Sequence, residues 1–425
     1  MAQQGGHRMG IYFNPNHTDF YNAVNHSQIY VDKTELIQYT NSVLFGEQKY
    51  ICVSRPRRFG KSMAANMLTA YYSRGCDSKE LFQDLKIATH PDFEKHLNQY
   101  NVIHLNMRDY LTESENMKQL IQFVEDDLLD ELQQEFSDLR MPRRKTLVKV
   151  LEQAFVQYKI PFVFIIDEWD CIFRVHKSDA VSQKDYLDFL RNLLKDKSYI
   201  ALAYMTGILP IKKYGEHSAI NVFYEYSMTD ASPIEEFTGF TEQEVRKLCE
   251  QYNMPFSETK KWYDGYCVDG VSIYNPKSVV EAMLRGKFSN YWTQTETYEA
   301  LKIYIQSNEF GVQDVILKLL AGEKEKIDTT TFSNDMVTFA TKDDVLTLLV
   351  HLGYLTYNAE TKEIWIPNDE VMEQFISTVK VMGWGSVVTA LETSEKLLQA
   401  TLSGDEETVA EPSYENRHCR NRRGG

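Results

Sequence analysis

The sequence predicts an α/β fold, in which a parallel β-sheet flanked by helices is followed by a mainly helical region. Up to about residue 232, short apolar runs alternate with helical patterns, which is typical of a parallel sheet covered on both faces. Beyond that point, helical patterns follow one another with few strands between them. A chain of 425 residues is also long enough for about two or three structural units.

Five strands are predicted in the first region, each a short run of apolar, β-branched and aromatic residues. They are Lys49–Ser54, Asn101–Met107, Phe162–Ile166, Ile200–Thr206 and Val222–Ser227. Apolar residues at helical spacing predict the helices of this region. These run from Lys61 to about Arg74, and over Lys118–Phe136, Arg144–Tyr158 and Tyr186–Leu194. Gly75 ends the first of them, as glycine commonly does.

Helical patterns dominate the second region. They cover Phe237–Tyr252, Ser278–Met283, Thr297–Gln306, Val312–Leu320, Asp343–Leu352 and Asp369–Val379. A hairpin over Tyr354–Tyr357 and Glu363–Ile366 lies between the last two helices, an order that resembles a winged-helix unit. We therefore predict a core over residues 10–232, a helical lid over 233–335, a winged-helix-like unit over 336–400, and a disordered or truncated tail over 401–425.

Composition indicates a soluble globular protein, with 43% hydrophobic and 25% charged residues. The first ten residues contain no apolar segment of the kind found in signal peptides. No run approaches the roughly 18 apolar residues that a membrane helix needs. The six cysteines form no CxxC pair, which fits a reducing compartment better than a disulfide framework. We expect a cytoplasmic protein that does not contact a membrane.

Net charge argues against one class of partner. The chain carries 46 basic and 61 acidic residues, a net charge of −15. A protein that coats nucleic acid nonspecifically relies on clustered Lys and Arg, so the whole chain is not of that class. The basic residues near the C-terminus leave a local nucleic-acid contact open, although a solvated tail is the simpler interpretation.

A phosphate-binding loop is predicted between the first strand and the first helix of the core. The segment from Arg55 to Ser62 corresponds to the pattern G-x-x-x-x-G-K-[ST], with Arg55 in place of the first glycine. Gly60 lets backbone N–H groups come close to phosphate, and Lys61 is expected to reach the β- and γ-phosphates. Ser62 is expected to bind Mg²⁺. The predicted nucleotide-binding residues are Arg55, Pro56, Arg57, Arg58, Phe59, Gly60, Lys61 and Ser62.

Taken alone, this segment is also compatible with a basic surface turn, so a second signal matters. The apolar strand from Phe162 ends in two adjacent carboxylates, Asp167 and Glu168. Asp167 is expected to hold Mg²⁺ at the sheet edge, and Glu168 to accept a proton from the attacking water. A polar turn after a core strand is the alternative. The two signals together, in this order, predict a site for ATP and Mg²⁺.

Other residues have two open interpretations each. Arg57 and Arg58 either offset negative charge in the transition state or hold the loop through acidic neighbours. Thr206, which ends the fourth strand, either senses the γ-phosphate or is a satisfied strand-end residue. The segment Asp32–Thr34 either wraps the adenine side or starts a helix. Asp170 is either close to the metal or a turn residue.

Several motifs in combination resemble the AAA-ATPase-like family. They are SRPRRFGKS (54–62), YVDKTELI (30–37), FIIDEWD (164–170), MTGILP (205–210), and WYDGY followed by YNPKSV (262–279). The resemblance extends from about residue 10 to residue 400. It implies an additional-strand P-loop NTPase core of the AAA/ASCE type with a helical lid, found mostly in bacteria and archaea. In this family the loop also reads RPRRFGK, so Arg55 matches the family pattern. The aromatic residues of WYDGY are expected to pack the lid.

Members of the family are often followed by a PD-(D/E)XK nuclease domain. No strand-borne Asp followed by E-x-K is visible after residue 380, so nuclease activity is not inferred and a truncated or degenerate member is expected.

Three functions remain open from sequence. The first is an ATP-hydrolysing switch or motor that uses Lys61, Ser62, Asp167 and Glu168. The second is a nucleotide-binding scaffold with little hydrolysis, which acts through an unidentified protein partner or self-association. The third is a nucleic-acid-processing protein, which the charge of −15 disfavours. The first requires Gly60–Ser62 and Asp167–Glu168 to meet at one edge of a parallel sheet.

Overall fold

The computed structural model describes residues 10–211, 220–292, 302–306, 309–333 and 336–384, together with residues 393, 400, 401 and 403. Its main sheet has five parallel strands, β1 Tyr50–Ser54, β2 Asn101–Asn106, β3 Phe162–Asp167, β4 Ile200–Gly207 and β5 Tyr224–Tyr226. Their order in the sheet is β2-β3-β4-β1-β5. All five match predicted strands to within two residues at each end. Strand β4 lies between β1 and β3, which is the additional-strand arrangement expected of the core.

Helices cover both faces of this sheet, because alternate residues of each buried strand point to opposite sides. The helices are α1 Thr18–His26, α2 Glu35–Val43, α3 Lys61–Tyr72, α4 Lys79–Phe82, α5 Phe93–His96, α6 Met107–Glu113, α7 Met117–Glu135, α8 Leu147–Tyr158, α9 Cys171–Val175 and α10 Ala180–Leu194. Val163 and Ile165 pack with α1 to α3, whereas Phe164 and Ile166 pack with α7, α8 and α10. The α/β prediction is confirmed.

The second region contains helices and two small antiparallel sheets. Its helices are α11 Glu242–Tyr252, α12 Phe256–Tyr263, α13 Pro276–Arg285, α14 Val312–Leu320, α15 Lys342–Leu352 and α16 Asp369–Val379. One sheet has the order β6-β8-β7, with β6 Phe240–Thr241, β7 Tyr266–Val268 and β8 Val271–Tyr274. The other has the order β10-β11-β9, with β9 Glu325–Lys326, β10 Thr356–Asn358 and β11 Glu363–Trp365.

Two predictions in this region need correction. The helix expected over Phe237–Tyr252 begins only at Glu242, because Thr241 caps its N-terminus in a capping box with Glu244. The segment expected to be a helical lid also contains the β6-β8-β7 sheet, whose strands of two to four residues are too short to give a periodic pattern. The hairpin between α15 and α16 is present as β10 and β11. Of the predicted helix Thr297–Gln306, residues 297–301 lie outside the described part of the chain, and residues 302–306 are helical.

Among the helices that the structure describes, none has both the length and the apolar composition needed to cross a membrane.

Candidate functional site

The loop between β1 and α3 exposes the N-terminus of α3. Gly60 caps this helix with a φ of 86°, in the left-handed region that glycine adopts without strain. A Cβ added to Gly60 would meet nothing within 4 Å, so the backbone conformation, and not the space, requires glycine here. Arg58 has a φ of 72° in the same loop. The two left-handed residues turn the chain sharply into the helix.

Lys61, the first residue of α3, points back under the loop. Its ammonium group donates to the carbonyl oxygens of Arg55 at 3.0 Å and Pro56 at 2.9 Å. Burial lowers the pKa of Lys61 to about 8, although the nearby carboxylates of Glu168 and Asp167 act in the opposite direction. A buried cation held only by neutral carbonyls is well suited to receive an anionic ligand.

The residue after Lys61 connects the loop to the acidic strand end. The Ser62 hydroxyl donates to Oδ2 of Asp167 at 2.5 Å. On the other side of the same carboxylate, the Thr206 hydroxyl donates to Oδ1. The ends of β3 and β4 are further joined by the bond from Trp169 N to Thr206 O, at 3.0 Å. The expected meeting of the loop and the acidic strand end at one sheet edge is therefore confirmed.

Glu168 follows Asp167 with an unusual backbone conformation. Its φ is 54°, and its N–H donates to Oδ1 of Asp167 at 2.9 Å. The carboxylate forms an ion pair with the guanidinium of Arg174 and lines the cavity described below. Burial raises the pKa of Glu168, but Arg174 and Lys61 outweigh this and hold the pKa below its ordinary value. The carboxylate is therefore ionised at neutral pH.

Asp170 anchors the chain beside this site. Its buried carboxylate accepts hydrogen bonds from the backbone N–H groups of Ile208 at 3.1 Å and Leu209 at 2.8 Å. It also accepts one from Nε of Arg174 at 3.1 Å. Asp170 thus ties α9 to the segment that follows β4. These contacts favour the interpretation of Asp170 as a structural anchor over a position beside the metal.

A cavity of about 570 Å³ opens between the phosphate loop and the second region. Six basic side chains line the cavity, namely Lys33, Arg57, Arg58, Lys61, Arg108 and Lys277. Apolar and aromatic side chains also line it, among them Phe20, Ile29, Tyr30, Met67, Phe237 and Phe240. This combination of cationic and apolar lining, in a volume typical of ligand sites, suits a molecule with an anionic part and an apolar part.

The side chain of Arg55 does not reach the cavity, which corrects its predicted role as a nucleotide contact. Arg55 is fully buried, and its Nη1 donates to Ser54 O at 3.0 Å and to Tyr226 O at 2.9 Å. The side chain therefore joins β1 to β5 beneath the loop. Only the backbone of Arg55 faces the site, through the carbonyl that accepts from Lys61.

Two apolar loop residues serve mainly as packing contacts. Phe59 is fully buried, and its ring lies edge-on to Tyr266 with 5.1 Å between centroids. Pro56 packs so closely against Gly353 that a Cβ on that glycine would lie 2.7 Å from the Pro56 Cβ. The Tyr266 hydroxyl donates to Gly353 O at 3.0 Å and closes this connection. The aromatic residue Tyr266 of the WYDGY motif thus packs the second region against the loop, as expected.

Thr206 fits the second of its two interpretations, that of a satisfied strand-end residue. Its side chain is fully buried, and it is not among the described residues that line the cavity. Its hydroxyl reaches the site only through Asp167. A direct contact with a γ-phosphate is therefore not supported, because the side chain is not among the described residues that line the cavity.

The structure gives Asp32 and Lys33 different places, one in the turn before α2 and the other in the cavity lining. Asp32 accepts from Thr34 and from the backbone of Lys86, so it shapes the turn before α2. Lys33 lines the cavity but is bound to Glu244 of α11. The residues just before this segment, Ile29, Tyr30 and Val31, also line the cavity.

Three basic residues of the site were not identified from the sequence. Arg108 follows β2, and the rule that ligands bind at the carboxyl ends of parallel strands could have indicated it. Lys277 in α13 forms an ion pair with Glu281, four residues later. Arg174 in α9 forms one with Asp170, four residues earlier. Such pairs are common on any helix surface, so they give no distinguishing signal.

The residues present fit Mg²⁺ bound together with a polyphosphate. No group of three or more His, Cys, Asp or Glu side chains able to hold a metal occurs within the described residues. Mg²⁺ needs no such group, because it is commonly held by one or two protein oxygens, substrate phosphates and water. Ser62 and Asp167 supply a hydroxyl and a carboxylate at the mouth of an anion-binding helix N-terminus.

The chain has a distant likeness to several solved structures. The ORC2 protein of Aeropyrum pernix, solved as ADPNP–ADP complexes, is 13% identical, with a TM-score of 0.34, covering 86% of this chain and 97% of that one. AMPPCP-bound DnaA of Aquifex aeolicus is 9% identical, with a TM-score of 0.28, covering 92% of this chain and 98% of that one. At such scores the fold is assigned from the strand order and not from the superposition.

Sequence comparison is more specific. A curated protein of Azotobacter chroococcum mcd 1, named as an uncharacterized protein in the vnfD 5′ region, is 24% identical over 279 residues. The match covers 63% of this chain and 51% of that protein, so the chain spans about half the length of this relative. Residues 16–215 match the AAA-ATPase-like family, described as a predicted AAA-ATPase. This match contains the phosphate loop and the acidic strand end, so the likeness to the AAA-ATPase-like family lies in the segment that builds the candidate site.

Proposed function

We propose that the chain binds ATP with Mg²⁺ in this cavity and hydrolyses it as a conformational switch or motor. The observation that carries the proposal is the contact between Ser62 and Asp167, which brings the phosphate loop and the acidic strand end together. Glu168 lines the same cavity as Lys61, so a base and a phosphate-binding cation face one space.

The basic side chains that line the cavity would hold the phosphates. Lys61 would exchange its two carbonyl acceptors for phosphate oxygens, and the N-terminus of α3 would add its free N–H groups. Arg57, Arg58 and Arg108 line the same cavity and supply further positive charge. This concentration of basic side chains contrasts with the net charge of −15 of the whole chain, which favours a dedicated anion site.

Ser62 and Asp167 would hold Mg²⁺ between them, with the serine hydroxyl turned from the carboxylate to the metal. When bound, Mg²⁺ neutralises charge on the phosphate oxygens. Glu168 would accept the proton of the attacking water, since its carboxylate is ionised and lines the cavity.

The apolar side chains that line the cavity would contact the base. Phe20, Tyr30 and Phe240 offer aromatic surface, and Ile29 and Met67 add aliphatic surface. The sequence has no N-K-x-D motif of the kind that reads guanine. We therefore propose adenine as the base.

A switch needs a path from the site to the rest of the molecule. The contacts of Pro56 with Gly353 and of Phe59 with Tyr266 join the phosphate loop directly to the second region. A change in the loop on binding or hydrolysis would be transmitted there, to an unidentified protein partner or to another copy of the chain. We also propose a cytoplasmic location, on the evidence of composition and cysteine usage.

One observation favours the alternative, a nucleotide-binding scaffold with little hydrolysis. The carboxylate of Glu168 is already bound by Arg174, and a base engaged in an ion pair is a weaker proton acceptor.

The test is Mg²⁺-dependent phosphate release from ATP by the purified chain, beside Lys61→Ala and Glu168→Gln. Release that both variants abolish supports the hydrolysing switch. Binding of ATP that Lys61→Ala removes, without release by the unmodified chain, supports the scaffold. Absence of ATP binding by the unmodified chain defeats both.

A further inference from the structure

We propose that Arg174 is a positioning residue that fixes the Glu168 carboxylate in the cavity wall for proton transfer. The proposal rests on the proposed hydrolysis and adds to it a residue outside the phosphate loop and the acidic strand end. Arg174 lies in α9, six residues after Glu168.

The guanidinium of Arg174 is held from two sides. One terminal nitrogen, Nη2, binds Oε2 of Glu168, while Nε binds Oδ2 of Asp170 at 3.1 Å. The side chain of Arg174 is only 12% exposed. A planar guanidinium that donates to two carboxylates through different nitrogens cannot rotate without losing one of them, which makes it a directional support.

Asp170 makes this support rigid. Its side chain is fully buried, and the same Oδ2 accepts from the backbone N–H groups of Ile208 and Leu209. Arg174 is thus fixed relative to the end of β4, the central strand of the sheet. A support tied to a strand of the sheet places a side chain more accurately than one built on a surface loop.

Glu168 is constrained at both ends as a result. Its backbone has a φ of 54° and is held by the bond to Asp167, and its carboxylate is held by Arg174. The side chain is 20% exposed and lines the cavity with Lys61. A general base must lie within hydrogen-bond reach of the proton that it accepts, so such double restraint serves a geometric requirement.

The experiment uses the full chain and compares Arg174→Met, Arg174→Lys, Glu168→Gln and the double variant of Glu168→Gln with Arg174→Met. Arg191→Met is the matched control, because Arg191 pairs with Asp188 on α10 at 3.0 Å and lies outside the cavity lining. For each variant, kcat and KM are taken from Mg²⁺-dependent phosphate release. ATP affinity and thermal unfolding are measured in parallel.

We expect Arg174→Met to lower kcat by about tenfold or more while KM and ATP affinity stay within about twofold. Arg174→Lys restores part of kcat, since an ammonium can hold one carboxylate but not both in the same geometry. In the Glu168→Gln background, Arg174→Met causes no further loss of kcat. Arg191→Met leaves kcat unchanged.

Three outcomes overturn the proposal. The first is that Arg174→Met or Arg174→Lys folds and has a kcat equal to or above that of the unmodified chain. The second is that Arg174→Met lowers kcat by the same factor in the Glu168→Gln background as in the unmodified chain. A loss of ATP affinity with kcat intact would show that Arg174 serves binding instead. Absence of phosphate release by the unmodified chain defeats the proposed hydrolysis and this inference together. If the unmodified chain releases phosphate and the Arg174 variants have the same kcat, only the inference is defeated.

Discussion

Ser62 and Asp167 are 105 residues apart in the chain, yet the serine hydroxyl donates to the aspartate carboxylate at 2.5 Å. This bond joins α3, the helix that follows β1 and the phosphate loop, to the end of β3. In the sheet, β3 lies two positions from β1. Both oxygens belong to the types that Mg²⁺ prefers. The bond thus brings two candidate metal ligands together, and each prediction below concerns a contact that builds or supports the site.

Replacement of the carboxylate in this pair should separate metal dependence from nucleotide binding. We expect Asp167→Asn to abolish the effect of Mg²⁺ on ATP affinity, because an amide is a much weaker Mg²⁺ ligand than a carboxylate. ATP binding in EDTA should change little, since Lys61 and the α3 N-terminus remain. Equilibrium binding with and without Mg²⁺ checks this, and a Mg²⁺ effect that survives in Asp167→Asn would contradict the assigned metal site.

Arg55→Met should affect stability more than nucleotide binding. Loss of the bonds to Ser54 O and Tyr226 O leaves buried carbonyl groups without their donor, which costs about 2–3 kcal/mol of unfolding free energy. Burial lowers the pKa of Arg55 to about 10, so removal of the charge offsets part of this cost. Urea unfolding and ATP binding are measured on the same variant. A large loss of ATP affinity with unchanged stability would restore Arg55 as a nucleotide contact.

Gly353→Ala should weaken ATP binding through Pro56. Gly353 has a φ of 87°, and an added Cβ would lie 2.7 Å from the Pro56 Cβ, which forces the phosphate loop to move. Gly322→Ala is the control: its φ is 81°, but its Cβ would meet nothing within 4 Å. Both variants carry a backbone strain of about 1–2 kcal/mol. Only Gly353→Ala should also reduce ATP affinity, and equal affinities in the two variants would exclude transmission through Pro56.

Glu370 should make stability depend on pH. Its buried carboxyl accepts from Ser278, Tyr291 N and Trp292 N, yet burial raises its pKa from 4.5 to about 7. Between these values the folded state holds a proton that the unfolded state releases. Its contribution to stability is therefore complete below about pH 4.5 and is lost as pH rises through about 7, by roughly 3 kcal/mol.

Comparison of Glu370→Gln with the unmodified chain isolates this effect. The variant keeps an acceptor oxygen but cannot ionise, so its stability relative to the unmodified chain should rise between pH 4.5 and 7. The exposed Glu373, one turn further along α16, provides the matched control as Glu373→Gln. Chemical denaturation across this range gives the result, and parallel pH profiles for Glu370→Gln and the unmodified chain would exclude it.

Much of the site was predictable because its signals are local. The five core strands, the loop before α3 and the acidic pair after β3 are short patterns that carry their structural context with them. The meeting of the phosphate loop and the acidic pair also follows from these patterns, because the carboxyl ends of parallel strands lie at one edge of the sheet. The lid sheet was missed because its strands contain two to four residues, too few for a pattern.

The sequence by itself determined the α/β core, the phosphate loop with Lys61 and Ser62, and the carboxylates Asp167 and Glu168. Only the tertiary structure decided where Arg55 and Arg174 point. Both are cations near the loop or the acidic pair in sequence, but Arg55 is buried between β1 and β5 while Arg174 binds Glu168. The physical reason is that backbone patterns are set by neighbours in the chain, whereas the partner of a long charged side chain is set by which carboxylates and carbonyls the fold brings within reach.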